Sequence, residues 1–207
     1  MIHPDTELRL ITPEIGRGPV ATRLIPRGTI AWVLDPFDIV LTPADVDALP
    51  APYLELAARY SYLDPGGSSI LCWDHARYMN HHCEPAVRGV TPLFQIAVRD
   101  IQPGEELTCE YAECNIDRLE CRCGSPRCRG LISADDLLAR GAEWEAEVRA
   151  ALVDAREVPQ PLWRYLLDPE PVRAILEGRA DPVPMRGFHY RGELALRRKV
   201  GSLSATA

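Results

Sequence analysis

The chain has 207 residues, 46% of them hydrophobic and 26% charged, with a formal net charge of −7. This length and balance fit one globular domain with an appendage. No apolar run approaches the ~20 residues of a membrane span, and Met1 to Asp5 lacks the basic-then-apolar pattern of an export signal, so a soluble, cytoplasmic protein without membrane contacts is expected.

The charge is uneven. Residues 183–207 hold five Lys/Arg and one acid, leaving −11 for the first 182 residues. An acidic body disfavours nucleic acid as a direct ligand and suits a cationic, lysine-bearing partner, although charge taken alone is better explained by solubility.

Taken in order, residues 7–34 read as short strands joined by glycine turns, with Gly16-Arg17-Gly18 in one and Ile25-Pro26-Arg27-Gly28 in another. Two glycines let a backbone approach a ligand closely, but Gly-x-Gly by itself is no more than a hairpin turn. Thr42-Pro43-Ala44-Asp45 has a cap residue, a proline at the first helical position and an acid in the first turn, which predicts a short helix to about Leu49. A second helix is predicted over Tyr53 to Arg59, then a turn at Asp64-Pro65-Gly66-Gly67 and a strand from Ser69 to Trp73. Two strands, around Ala86 to Val90 and Leu93 to Val98, and a short one at Glu106 to Thr108 complete a region of small sheets with inserted helices and no βαβ alternation.

From Ser133 the pattern becomes helical. Ser133-Ala134-Asp135-Asp136 resembles a capping box with Asp in place of Glu, and Trp144, Val148, Ala151 and Leu152 mark an apolar stripe at helical spacing. Pro159 and Pro161 end that helix. Another segment begins at Leu162, and Asp168 caps a last helix that stops near Gly178. Residues 183–207 show no periodicity and are read as a basic, flexible tail.

Chemistry concentrates in three stretches. Arg77-Tyr78-Met79-Asn80-His81-His82-Cys83-Glu84-Pro85 packs an amide, two imidazoles and a thiol before a proline, and reads as a polar turn. Cys121-x-Cys123-x4-Cys128 supplies three thiolates around Gly124 and Pro126. In a reduced compartment such clustering points to structural zinc rather than to bridges. Zinc wants four ligands. Cys114, or Cys83 with His81 and His82 beside it, supplies the fourth; a loop of free thiols is the bland alternative. The third stretch is Gly104-Glu105-Glu106-Leu107-Thr108-Cys109-Glu110-Tyr111.

Together these residues resemble the SET-domain protein lysine methyltransferases, including the cysteine-rich post-SET segment. Arg77 to Ala86 is similar to the family's Arg-Phe-x-Asn-His-Ser-Cys-x-Pro-Asn, Gly104 to Tyr111 to its Gly-Glu-Glu-Leu-Thr-x-Asp-Tyr, and Cys121 to Gly130 to its Cys-x-Cys-Gly-x4-Cys-x-Gly. The early glycines fit its first motif. The resemblance implies a mainly β, β-clip-like fold of several small sheets over residues 7–112 with an inserted segment at about 35–68. It further implies a zinc-binding post-SET loop over 113–132, followed by an α-helical C-terminal extension over 133–182 that is similar to the extension of small bacterial SET proteins.

The implied activity is methyl transfer from S-adenosylmethionine to the amine of a lysine in a protein or peptide, with one structural zinc ion. By the same resemblance Gly16, Arg17, Gly18, Asn80 and His81 bind the cofactor, Tyr111 sits at the transfer point, and Cys83, Cys121, Cys123 and Cys128 hold zinc. The alternative is a catalytically silent SET module that binds a partner.

The sequence departs from the family at His82, Ala86 and Glu110, where Ser, Asn and Asp are usual. Leu34-Asp35-Pro36 lacks an expected channel tyrosine, leaving Tyr60 or Tyr62 to substitute. Cys109 stands where a Phe or Tyr often limits the number of methyl groups, so its small side chain predicts transfer beyond the first.

Overall fold

A computed structural model of the protein describes residues 1–192. The N-terminal hairpin pairs β1 (Thr6–Thr12) with β2 (Gly16–Ala21) around a register shift between Leu10 and Thr12. Gly16 closes this turn at φ +91°, a conformation open to glycine without steric cost. β3 (Ile30–Val33) lies in a three-stranded antiparallel sheet that also contains β8 (Val87–Thr91) and, in the centre, β9 (Phe94–Ala97).

Between β3 and β8 the chain forms β4 (Ile39–Leu41), α1 (Pro43–Ala48), α2 (Ala51–Tyr60), β5 (Ser61–Leu63) and β6 (Ser69–Leu71), with β4, β6 and β5 making a second antiparallel sheet. α1 begins as its sequence predicts. The Thr42 hydroxyl accepts from the Asp45 backbone and the Asp45 carboxylate accepts from the Thr42 backbone, a complete capping box.

The stretch read from sequence as a polar turn is folded more tightly than that. His75–Tyr78 form one 3-10 turn, and Asn80–His81 are a short strand, β7, paired in parallel with β10 (Thr108–Cys109). Asn80 stands opposite Thr108 and His81 opposite Cys109. Beyond the strand, His82 N–H still donates to Cys109 O and Ala86 N–H to Thr108 O, so the bend through Cys83 is fastened at both ends to β10. The distant pairing converts polar residues that locally favour a turn into extended backbone, and extended backbone sends successive side chains to opposite sides.

After a 3-10 turn at Tyr111–Cys114, a ribbon of β11 (Leu119–Glu120) and β12 (Leu131–Ile132) encloses the late cysteines. α3 (Asp136–Asp154) and α4 (Pro169–Leu176) follow. The expected capping box of α3 is half formed: the Ser133 backbone donates to the Asp136 carboxylate at 3.4 Å, while no side chain caps the helix N-terminus.

The central sheet is buried on both faces, which follows from alternation along its strands. Ala31, Trp32, Val87 and Ala97 pack with Ile25, Met79, Leu107 and Cys109 on one side. Ile30, Val33, Val90, Phe94 and Ile96 pack on the other against Leu137, Trp144, Val148 and Ala151 of α3 and Val172, Ile175 and Leu176 of α4. The helical extension is therefore the second cover of this sheet, sharing one core with it.

Trp144 is the centre of that contact. It is buried, with the Arg88 guanidinium 4.5 Å and the Arg129 guanidinium 5.3 Å from its ring centroid. Arg88 also bonds Glu147 of α3 at 2.5 Å and lies 3.5 Å from Glu113. Trp144→Ala is expected to cost about 3–5 kcal/mol of stability, seen as a lowered urea midpoint for the whole chain rather than as separate melting of the helices.

The tail begins later than its composition predicts. Met185 and Phe188 are buried in the shared core, and a 3-10 turn spans Met185–Gly187. Apolar side chains spaced too irregularly to show a period still found a groove. Residues 193–207, the remainder of the expected basic tail, lie outside the described residues. Among the described residues no helix is long and apolar enough to cross a membrane.

Candidate functional site

The β7–β10 pair divides the site in two. On one side Asn80 meets the β1–β2 hairpin: its amide nitrogen donates to Arg17 O at 3.1 Å and to Glu106 Oε1 at 2.7 Å. Both hydrogens of that nitrogen are thereby committed, so what the Asn80 side chain can offer a ligand is its carbonyl oxygen. The Arg17 carbonyl, the Asn80 amide oxygen and the Glu106 carboxylate are all acceptors, a grouping that suits an ammonium. Burial raises the pKa of Glu106, opposed by its bond from Asn80. Gly18 makes the approach possible, because a Cβ there would stand 2.0 Å from Glu106 Oε1 and 2.9 Å from Asn80 Nδ2.

On the other side His81 points into a cluster of cysteines. His81, Cys83, Cys121 and Cys123 present ligand atoms that all lie within 4.8 Å of one another. Cys83 Sγ is 3.7 Å from Cys121 Sγ, close to the ~3.8 Å edge of a tetrahedron with 2.3 Å metal–sulfur bonds. Cys128 borders the group: its thiol approaches Cys121 O at 3.5 Å and interacts with the thiols of Cys121 and Cys123. The Gly130 backbone first, and then those thiols, hold Cys128 down to about 7. Burial raises Cys83 and Cys121 instead. Thiols this close cannot all ionise together unless a cation compensates them, and backbone N–H groups of Cys83 and Arg129 already point at Cys123 Sγ and Cys83 Sγ, each at 3.4 Å. The donor set can hold zinc.

His81 itself is neutral. Burial, followed by the nearby Arg129 charge, lowers its pKa to about 3. Its Nδ1 accepts the Tyr111 backbone N–H at 3.3 Å, which leaves the ring proton on Nε2, 3.4 Å from Cys83 Sγ. The imidazole thus donates to the Cys83 sulfur. Cys114, the other thiol within reach of the cluster by sequence, lies elsewhere: it shares a cavity wall with Cys109 and contacts that thiol.

The cysteine loop is fastened to the body through Arg129, whose guanidinium bonds Glu110 at 2.8 Å and pairs electrostatically with Asp136 of α3, 3.2 Å away. Glu110 is one methylene longer than the usual Asp. Its carboxylate both caps Ala112 N–H and reaches Arg129.

Tyr111 lies between the two halves. Its ring sits 5.5 Å from that of His81, its hydroxyl donates to Met79 O at 3.1 Å, and burial raises its pKa, so the phenol stays neutral. It faces a cavity of about 350 Å³ walled in part by Trp32, Tyr60, Tyr62, Met79 and Cys109. Tyr62 stands edge-on to Trp32 at 5.9 Å, and Tyr60 edge-on to Tyr78 at 5.3 Å. Both tyrosines left open by the sequence therefore enter the same chamber as Tyr111.

The structure gathers the residues of the three stretches around the β7–β10 pair, with Cys128 at the edge of the thiol group, and adds three that the sequence reading gave no role. Glu106 joins Asn80, although it lies inside a recognised motif. Glu113, raised to about 7 chiefly by burial, and Asn115 complete the cavity wall. His82, left without a role by sequence, accepts the Glu84 N–H at 3.0 Å and so shapes the bend that carries Cys83.

A cleft of backbone and amide acceptors and a tyrosine-lined cavity meet at one parallel strand pair beside a thiol cluster, and residues 16–112 of this region match the family profile described as SET domain. Over part of its length the chain is similar to histone-lysine N-methyltransferases. ATX2 of Arabidopsis thaliana, so named, is 36% identical over 96 residues, 42% of this chain and 8% of that protein. The histone-lysine N-methyltransferase ash1 of Drosophila melanogaster is 32% identical over 146 residues, 63% of this chain and 6% of that protein. The H3 lysine-36 specific enzyme of Homo sapiens is 38% identical over 68 residues, 28% of this chain and 2% of that protein. The chain spans less than a tenth of the length of these relatives.

Proposed function

We propose that the protein is an S-adenosylmethionine-dependent protein-lysine N-methyltransferase whose post-SET loop is held by one structural zinc ion. The observation that carries this reading is the position of Tyr111, half-buried beside His81 with its hydroxyl on Met79 O, on the wall of an aromatic cavity.

When bound, S-adenosylmethionine supplies an electrophilic methyl group on a sulfonium. The chain's residues have to align, desolvate and orient. The acceptors at Arg17 O and Asn80 hold an ammonium-bearing ligand, with the backbone of His81 completing its site. Trp32, Tyr60, Tyr62 and Tyr111 face the lysine end with aromatic rings that favour a cationic or methylated amine by about 0.5–2 kcal/mol. Tyr111, a neutral phenol already donating to Met79 O, presents its oxygen to orient the attacking amine by accepting from it. It is no base, so the proton of the lysine ammonium leaves to water beforehand. Cys109 leaves the chamber wide beside Tyr111, consistent with transfer beyond one methyl group.

For zinc, the ligands are Cys83, Cys121, Cys123 and Cys128, with His81 donating a hydrogen bond to Cys83. A chain with this zinc would carry its post-SET loop against Tyr111 and the cleft.

The test is isothermal calorimetry with S-adenosylmethionine on zinc-loaded protein, followed by mass spectrometry of added lysine-bearing proteins. Binding and methylated lysine are expected; absence of binding would leave a partner-binding SET module instead. Gly18→Ala should weaken the calorimetric affinity by about tenfold or more, the scale of one or two lost polar contacts, because its methyl displaces Asn80 and Glu106.

A further inference from the structure

We propose that the lysine admitted to the Tyr111 cavity is one flanked by acidic residues, an inference that rests on the activity proposed above and names its substrate class. The protein as a whole is acidic, yet the charge at this cavity has the opposite sign. Of the Asp, Glu, Lys and Arg side chains, those that line it are Arg59, Arg77, Arg118 and Glu113. Glu113 is buried in the wall, 3.5 Å from the Arg88 guanidinium and accepting the Gly89 N–H at 2.8 Å, so its charge is met from behind. The arginines stand on the solvent side, Arg59 and Arg118 exposed and Arg77 half-buried.

The three come from separate segments. Arg59 lies in the last turn of α2, Arg77 in the 3-10 turn before β7, and Arg118 just before β11. The Arg59 guanidinium lies 5.3 Å from the centroid of Tyr60 and that of Arg77 lies 5.6 Å from the centroid of Tyr78, on either side of the edge-on pair those rings make. Arg77 also donates to Trp73 O at 2.8 Å and to Asp74 O at 3.2 Å. Ring faces and carbonyls carry no net charge. Among the described residues no carboxylate pairs with Arg59, Arg77 or Arg118. The acids near Tyr62 are engaged by the protein's own donors: Asp38 accepts the Asp35 and Trp73 N–H groups, each at 3.2 Å, and Asp64 the Ser68 N–H at 2.8 Å.

A target lysine brings a positive charge to this rim, and basic neighbours would add more. Acidic neighbours supply what the rim lacks, carboxylates in the two-pronged geometry that guanidinium groups bind. In an extended peptide, residues two or three positions from the lysine lie about 7–10 Å along the chain, which sets where those acids belong. The −11 of the first 182 residues is spread over the whole surface, and salt screens exposed charges beyond about 8–10 Å. The guanidinium groups at the rim therefore decide the local sign, against the expectation drawn from net charge. Inside the rim the wall turns aromatic, which suits the lysine side chain itself.

The test uses the full zinc-loaded chain and three fluorescent peptides, each with a single lysine, flanked by glutamates, by serines or by arginines. Anisotropy reads binding and mass spectrometry reads methylation. The glutamate-flanked peptide is expected to bind about tenfold more tightly than the serine-flanked one, the scale of two or three exposed ion pairs, with a matching gain in kcat/KM. Most of that preference should vanish at about 1 M salt, where screening acts beyond ~3 Å. In a chain carrying both Arg59→Glu and Arg118→Glu, the order of the three peptides should reverse while affinity for S-adenosylmethionine is unchanged. Arg77 is left in place because it holds the Trp73 and Asp74 carbonyls.

A serine- or arginine-flanked peptide bound as tightly as the glutamate-flanked one, binding of none of the three, or an order that survives the charge reversal would overturn this inference. With S-adenosylmethionine bound and a lysine methylated, the proposed function would still stand. Absence of both cofactor binding and methylated lysine would overturn the proposed function and this inference with it.

Discussion

Tyr111→Phe is expected to lower kcat for lysine methylation by roughly 10²–10³-fold, the scale on which removing one preorganised polar contact acts at a transition state. Affinity for S-adenosylmethionine should change by no more than about twofold, because Asn80 and the Gly16 to Gly18 backbone stay in place. The separation of the two effects is the informative part. The phenol donates to Met79 O and is largely buried, so its loss also costs one interior hydrogen bond, about 1 kcal/mol of stability. Thermal unfolding of the variant should shift by a few degrees while turnover collapses. A variant with unchanged kcat would remove Tyr111 from the transfer point.

Cys83→Ser is expected to separate the late-cysteine loop from the body. Cys83 is the single thiol of the cluster contributed from outside residues 121–128, so the three remaining thiols can keep a weakened metal grip but lose their anchor beside Asn80 and His81. Zinc content by atomic absorption should drop below one equivalent. Hydrogen exchange should accelerate over 113–132 and spread to the first turn of α3, because Arg129 bridges Glu110 to Asp136. Structural zinc contributes on the order of 10 kcal/mol to small metal-dependent folds, and on the proposed reading it would act here on one loop attached to a larger core. Strong chelation of the unaltered protein should therefore reproduce the loss of order in the loop and leave the central sheet folded. If chelated protein keeps its protection over 113–132, the thiol cluster does not hold the loop through a metal.

Much of this site could be read without coordinates because its parts are local. Thr42-Pro43-x-Asp45 specifies its helix start through neighbouring atoms, and the complete capping box follows. Cys121 and Cys123 sit two residues apart and enter one group with Cys83, whereas Cys128 borders it. The alternation of Ile30 with Ala31 and of Trp32 with Val33 assigns residues to the two faces of a sheet. Such features depend on spacings of a few residues, which a sequence displays directly.

What could not be read locally depends on partners far along the chain. Asn80 and His81 look like a turn until β10 pairs with them, and only the resulting extended backbone sends the amide to the Gly18 side and the imidazole to the cysteines. Phe188 and Tyr190 look like part of a basic tail until Asn115, more than seventy residues earlier, bonds to both. Glu106 and Glu113 are ordinary acids in sequence; burial against Asn80 and Arg88 makes them part of the site. The role of His82 was invisible for a different reason, since its bond to the Glu84 backbone is local but uses an imidazole where a hydroxyl is usual.

Sequence by itself determined the residue types that carry the chemistry: acceptors around a Gly-x-Gly turn, one tyrosine after an acid, and four thiols in two groups. Tertiary structure alone decided which of those residues share a chamber. The reason is the range of the forces: caps and turns act over a few bonds, whereas the parallel β7–β10 pair and the core that joins the sheet to the helices exist only once segments from across the chain have buried one another's apolar surface.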